Sequence, residues 1–365
     1  MTETPELSIH EKAFAKSDKT DAILVVQGKK FHVNKAVLSY HSDYFNVLFN
    51  SDFKEKSMEE IPIEDVNVED FATVLSLVHK PTIKRSTYSF VIEEYLKVTD
   101  RFQLPAAKRH TELLLLTSNC NRNQIIEIAD KYKLNEAMSQ ALSLFQKKEH
   151  FDGLARSVPN IEFFNTLSIK TRLQLFYRVL EIDGKIVVPP KPVESPTSIC
   201  EKTFEKSDKT DAILVVDGKK LHVNKAILSY HSDYFNKLFN SDFKEKSMEE
   251  IPIEDVNFVD FATLLSLIHL NPLAPTKENA EKILELADRF TLPCIKYYLE
   301  PFIISFKLDE FETIRIGEKY GMKELVSNGV YRLKSDHFTN LTSNPTFQAF
   351  SDETKSDMFY KYLRL

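Results

Sequence analysis

The sequence predicts an α+β fold built twice. Residues 17–79 and 207–269 align without a gap and differ at only eight of 63 positions. Each copy opens with a short apolar run and a tight-turn dipeptide, the mark of a small hairpin, and then changes to helical spacing of its apolar residues. A repeat unit this long is a duplicated domain, since solenoid units are far shorter.

The elements follow in order. Asp21 to Val26, with AILVV at its heart, is a strand, Gln27-Gly28 or Asp217-Gly218 is its hairpin turn, and Lys29–Val33 returns. Asn34 and Ser42 are N-caps for helices through Leu38 and Phe49, with Val37, Leu38, Phe45, Leu48 and Phe49 at helical spacing. Ile61 and Ile63 alternate with polar neighbours as in a half-buried strand. Asn67 caps a helix over Phe71, Val74, Leu75 and Val78. In the second copy Thr276 opens a helix whose Ala280, Ile283, Leu284, Ala287 and Phe290 form one stripe. Further helices span 124–132 and 310–320.

Beyond the constant block the offset changes from 190 to 188. Asp100-Arg101-Phe102 with Leu104-Pro105 returns as Asp288-Arg289-Phe290 with Leu292-Pro293, and Tyr132 answers to Tyr320. The chain therefore divides into a first domain at 14–183 (core 14–118), a linker at 184–199 and a second domain at 200–365 (core 204–306), each domain ending in a helical extension. The linker holds Pro189, Pro190, Pro192 and Pro196. At about 3.1 Å per residue, polyproline-type backbone of this length reaches roughly 45 Å, enough for two domains to fold back on each other.

Composition excludes several classes. Of 365 residues, 48 are Lys or Arg and 54 Asp or Glu, a net charge of −6, which is the wrong sign for general nucleic-acid binding. Seven glycines, with no GxGxxG and no GxxxxGK[ST], leave nothing to cradle a nucleotide phosphate. Cys120, Cys200 and Cys294 form no CxxC pair, and neither a signal-like start nor a run long enough to cross a bilayer occurs. A reducing cytoplasmic or nuclear setting is expected, with no cofactor, no metal and no membrane partner.

Candidate chemistry gives way to structural readings. His41-Ser42-Asp43 and His231-Ser232-Asp233 hold the residue types of a hydrolase triad, but helical neighbours point about 100° apart and cannot relay a proton. Ser42 reads as a cap, and Asp43 suits the positive end of the helix. His32, His41 and His79 lack metal-ligand spacing and read as half-buried structural groups. The acidic pairs Glu59-Glu60 and Glu64-Asp65 read as a solvated face. The chain is expected to bind and not to catalyse.

The run from Asp18 through Asp21-Ala22-Ile23-Leu24-Val25-Val26, then Phe31-x-Val33-Asn34-Lys35-Ala36-x-Leu38 and Ser42-x-Tyr44-Phe45, resembles the signature of BTB/POZ domains. Phe49, Phe53-Lys54-Glu55, Ile61-Pro62-Ile63 and Asp70-Phe71 continue it, and the second copy repeats it from Asp208 to Phe261. Residues 283–290 with Leu292-Pro293 resemble the later helices of such domains in the MATH/BTB adaptor families. The sequence departs from that pattern at Asn34 and Asn224, where the family's usual residue is histidine, and shows no MATH, Kelch or zinc-finger module.

The resemblance implies pairing between BTB domains, in cis or in trans, through a charged pocket matching Asp21 with Lys35 and Asp211 with Lys225. A pseudo-two-fold pair within the chain is one form, and a homo-oligomer the other. It also implies a cullin-3 contact, with the family's apolar-x-Glu pattern falling on Phe53 and Glu55 and on Phe243 and Glu245. The leading expectation is thus a protein–protein interaction module serving as a cullin-3 ubiquitin-ligase adaptor. A BTB assembly scaffold or competitor without ligase engagement is the alternative. Val47 against Lys237 implies a helix face that is exposed in the second copy and covered in the first.

Overall fold

In a computed structural model, the described residues are 9–51, 58–79, 83, 85, 88–151, 163–187, 194–240, 248–339, 341 and 344–365. The chain divides into two compact units that part between Ile199 and Cys200.

Each unit begins with a short helix, α1 (Ile9–Ala13) in the first and α10 (Pro196–Thr203) in the second. Neither was predicted. Pro196 opens α10, so the far end of the proline-rich segment is helical, as proline's fixed φ permits in a first helical turn. Phe14 and Phe204, which follow these helices, are 1% exposed and anchor them to the cores. The repeated Lys-x-Phe of 12–14 and 202–204 was the signal for them.

The predicted hairpins form as β1 (Ala22–Val26) with β2 (Lys29–Val33), and β4 (Ala212–Val216) with β5 (Lys219–Val223). Their turns hold Gln27 at φ 49° and Gly28 at 79°, and Asp217 at 50° and Gly218 at 74°, the left-handed pair that a two-residue hairpin requires. A third strand, β3 (Glu60–Ile63) or β6 (Glu250–Pro252), adds parallel to the first, giving the orders β2-β1-β3 and β5-β4-β6. Ile253 N donates to Val215 O, so the neighbouring Pro252, like Pro62 in the equivalent place, faces the open edge. A proline there leaves no N–H for a stray strand to capture.

Alternation then decides the inner face. Leu24, Val26, Phe31, Val33 and Ile61 are buried under α2 (Lys35–His41), α3 (Asp43–Asn50) and α4 (Val68–Ser76). The second unit repeats these helices as α11 (Lys225–His231), α12 (Asp233–Asn240) and α13 (Phe258–Ser266). Asn34, Ser42 and Asn67 accept from Val37 N, Phe45 N and Glu69 N, as caps should. Ser42 is fully buried, and its hydroxyl also donates to Phe102 O (2.6 Å), which leaves it no role as a nucleophile. His41 and His79 are deeper than predicted, each 2% exposed, while His32 is half-buried.

The first unit continues through α5 (Ser89–Arg101), α6 (Pro105–Thr117), α7 (Arg122–Tyr132), α8 (Asn135–Ser143) and α9 (Ile169–Ile182). In the second, α14 starts at Ala280 and runs to Arg289, later than the predicted Thr276. Asn279 Oδ1 accepts from Thr276 N, and this side-chain bond closes a turn ahead of the helix. α15 (Ile295–Ser305), α16 (Glu310–Tyr320), α17 (Lys323–Arg332), α18 (Pro345–Ala349) and α19 (Asp352–Tyr362) follow.

Four of the eight differences lie in the cores: Phe31/Leu221, Val37/Ile227, Val74/Leu264 and Val78/Ile268, all buried. One change removes volume and three add it, so each core keeps native density with different side chains. Val47 is 48% exposed, so the helix face predicted to be covered in the first copy is open there as well. Val47→Lys is expected to move the melting temperature by less than about 2 °C, since exposed sites away from caps and partners change stability by only about 0.5 kcal/mol. Calorimetry checks this, and a larger fall would mean that Val47 makes a contact.

Candidate functional site

The approach to β1 is ordered before any functional side chain is placed. Ser17 N donates to Thr20 Oγ1, whose hydroxyl donates back to Ser17 O (2.8 Å), and Ser207 with Thr210 repeats this turn. The turn delivers Asp21 to the sheet, where Asp21 N donates to Val33 O. Across the sheet end, Asn34 Nδ2 donates to Lys19 O (2.7 Å), and Asn224 to Lys209 O (2.8 Å). Asn34 N in turn donates to His79 Nε2 (3.0 Å). The asparagines at the positions where the resemblance calls for histidine thus both cap the helix and tie it to the preceding loop.

The structure brings Asp21 and Lys35 together, through the main chain. Lys35 N donates to Asp21 Oδ1 at 2.7 Å, and Lys225 N to Asp211 Oδ1 at 2.7 Å. The carboxylate lies at the positive end of a helix, where negative charge is favoured. The ammonium groups turn elsewhere: Lys35 Nζ stands 5.9 Å from the centre of the Phe49 ring, and Lys225 Nζ 5.9 Å from that of Phe239. Among the described residues neither ammonium meets a carboxylate. Each thus stands over an aromatic face.

In the first unit a groove of about 290 Å³ opens beside this pair, lined by Lys16, Thr20, Asp21, His32, Lys35, Met58 and Glu59 among others. Met58 is 47% exposed and the equivalent Met248 46%. Burial, with Lys16 and Lys30 nearby, holds His32 below the usual histidine range against the pull of Glu60. The lining therefore sets a half-buried imidazole among both signs of charge and an open thioether. Such a surface suits reversible contact with a protein of complementary pattern.

Residues 11–119 and 200–307 match the model of the BTB/POZ domain, which is more than half of the chain. The chain belongs to the BTB/POZ family. That family is one of protein-interaction modules and not of enzymes. BTB/POZ domains mediate homo- and hetero-oligomerisation. The chain is 34% identical over 167 residues to BTB/POZ domain-containing protein Y57A10B.3 of Caenorhabditis elegans, covering 45% of this chain and 53% of that protein. It is 23% identical over 341 residues to BTB and MATH domain-containing protein 45 of the same organism, covering 88% of this chain and 61% of that protein. Kelch-like protein 15 of Gallus gallus is 27% identical over 128 residues, 34% of this chain and 26% of that protein. The chain thus spans about half to three-fifths of the length of these nematode relatives.

Of the predicted site residues, Asp21 and Lys35 line the groove of the first unit, and Asp211 and Lys225 repeat their main-chain bond in the second. Phe53, Glu55, Phe243 and Glu245 lie outside the described residues. Sequence reasoning missed Lys16, His32 and Met58 as groove walls and His79 as the acceptor for the helix-starting amide. Their recurrence as Lys206, His222, Met248 and His269 was the available signal. Among the described residues, no helix is long and apolar enough to cross a membrane.

Proposed function

We propose that the two BTB/POZ units pair with BTB/POZ domains, in cis or in trans, through the surfaces around Asp21–Lys35 and Asp211–Lys225, and that the chain acts as a cullin-3 ubiquitin-ligase adaptor. The observation that supports pairing is the ammonium of Lys35 or Lys225, parked on a phenylalanine without a carboxylate among the described residues. An opposite charge brought to it by a partner fixes register more than it adds affinity. Because the pairing segments are nearly identical, each unit offers a partner the same patch, as a two-fold contact demands.

Lys35→Glu with Lys225→Glu reverses the charge while keeping the Asp21 and Asp211 bonds to the main chain. Light-scattering mass and intramolecular cross-linking are expected to report lost pairing with unchanged circular dichroism. Pairing that survives both changes would refute the groove assignment. The ligase reading is supported by the repeated Phe-x-Glu and tested by pull-down with cullin-3. Alanine at Phe53, Glu55, Phe243 and Glu245 together is expected to abolish capture, as loss of a buried aromatic anchor does in most interfaces. Undiminished capture by that variant would overturn the residue assignment, and no capture by the natural chain would overturn the adaptor role.

A further inference from the structure

Helix α9 is apolar on two nearly opposite sides, and one of them meets the core of its own unit. Thr171 and Leu175 are buried there, and Ile182 packs beside them. At about 100° per residue these three fall within about 40° of one another. On the other side Ile169, Leu173 and Phe176 are 71%, 48% and 53% exposed, and Leu180 is half-buried. These four lie within an arc of about 60°, where an ordinary surface helix carries charge.

The outer four follow one another at steps of four, three and four residues. That is the rhythm of a coiled-coil seam, in which each side chain fills a hole on a facing helix. So short a seam would not fold a helix by itself. Here α9 is already fixed by its inner face and by the bonds from Ser168 N and Thr171 Oγ1 to Asp130, so a partner meets a finished helix. The equivalent helix of the second unit lacks a complete seam. With Ser351 matched to Ser168, Asp352 and Ser356 stand where α9 has Ile169 and Leu173. The helix that matches α9 is therefore another α9.

Charge sets the direction. Lys170, Tyr177 and Glu181 share one flank of the stripe, within about 40° of each other. Lys170 is exposed and has no ion-pair partner among the described residues, and Glu181 holds Arg178 through Oε2 at 2.6 Å. A parallel partner would set Lys170 level with its own copy and about 16 Å from the other Glu181. An antiparallel one places Lys170 between the ring of Tyr177 and the carboxylate of Glu181 on the second copy, and does so twice.

We infer that two copies of this chain associate through α9, the helices running antiparallel about a two-fold axis with Leu173 of each against Phe176 of the other. This contact is separate from the surfaces around Asp21–Lys35 and Asp211–Lys225.

The test uses the full chain, mixed from isotope-labelled and unlabelled protein and treated with a carbodiimide. Lys170 of one chain is expected to join Glu181 of the other, a pair about 16 Å apart along a single helix and so out of reach within one chain. Leu173→Glu with Phe176→Glu, both outside the core, is expected to keep the circular dichroism. By light-scattering mass between about 5 and 500 µM, that pair is expected to weaken association at least about tenfold. Lys170→Glu alone is expected to weaken it, and Glu181→Lys added to that change to restore it. Lys35→Glu with Lys225→Glu is expected to leave the cross-link in place. Absence of the cross-link in the natural chain, its loss in that last variant, a cross-link from Lys170 to Asp352 or Glu353 in its stead, association undiminished by Leu173→Glu with Phe176→Glu, or no recovery on the charge exchange would each overturn the inference.

Discussion

Phe290→Ala is expected to lower the stability of the second unit by about 3–5 kcal/mol and to leave the first unit unchanged. The ring is 1% exposed and fills the meeting point of three elements. It stacks on Phe235 at 5.7 Å and 8°, and meets Tyr234 and Phe261 edge-on at 5.1 Å and 5.0 Å. Each such pair adds roughly 0.5–1.5 kcal/mol beyond area burial. The same residue's carbonyl accepts the Ser232 hydroxyl at 2.6 Å, so relaxation of the backbone into the cavity would also disturb the cap of α12. For a unit of this size the melting temperature should fall by roughly 10 °C. Phe102, stacked on Phe45 at 5.8 Å and touching Tyr44 and Phe71, is the mirror position, and Phe102→Ala is expected to lower the first unit alone. Calorimetry of both variants decides the matter: one transition moving in each confirms two separate cores, and both moving together would show a single folding unit.

The duplication made the early part of each unit legible. Caps at Asn34, Ser42 and Asn67 use short-range chemistry, and the hairpin turn needs only its own two residues, so local sequence suffices for them. The start of α14 was misjudged because Asn279 competes for the amide of Thr276, a contest between two polar side chains that spacing does not reveal. The groove was half legible. Asp21 and Lys35 are 14 residues apart and were named, but Lys16, His32 and Met58 come from three other segments and meet only when the sheet forms. Tail packing was the least legible part, because the two copies there share geometry more than identity. Ala129 and Ala141 of the first unit answer, at the offset of 188, to Gly317 and Gly329 in the second, where an added Cβ would come within 2.8 Å of Val326 N and 2.6 Å of Ile314 Cγ1.

That tail holds a device found in both units, and acid is expected to release it. Asp130 on α7 accepts from Ser168 N and Ser168 Oγ, each at 2.6 Å, and from Thr171 Oγ1 at 2.6 Å, gripping the start of α9. Glu318 on α16 accepts from Ser351 N (3.0 Å) and Ser351 Oγ (2.5 Å), gripping α19 in the same manner. Burial raises both carboxyls, but the bonds from Ser168 and Thr171, with Arg172, outweigh it for Asp130, and those from Ser351 and Thr354, with Lys355, do so for Glu318. Both therefore lie below their ordinary values of 3.8 and 4.5. A lowered folded-state pKa means that the stabilisation is complete above the ordinary value and is lost as pH falls through the lowered one. Protection of the α9 and α19 amides, relative to their intrinsic exchange at each pH, should thus hold from neutral pH down to about pH 5 and fall below about pH 4. Asp130→Ala removes three bonds to a charged acceptor and half of a helix cap, about 2 kcal/mol, and should abolish the pH dependence in α9 while α19 keeps its own. Glu318→Ala should do the converse. If α9 exchanges slowly in Asp130→Ala at neutral pH, the helix is held by Leu175 and its apolar neighbours alone, and the carboxylate grip is incidental.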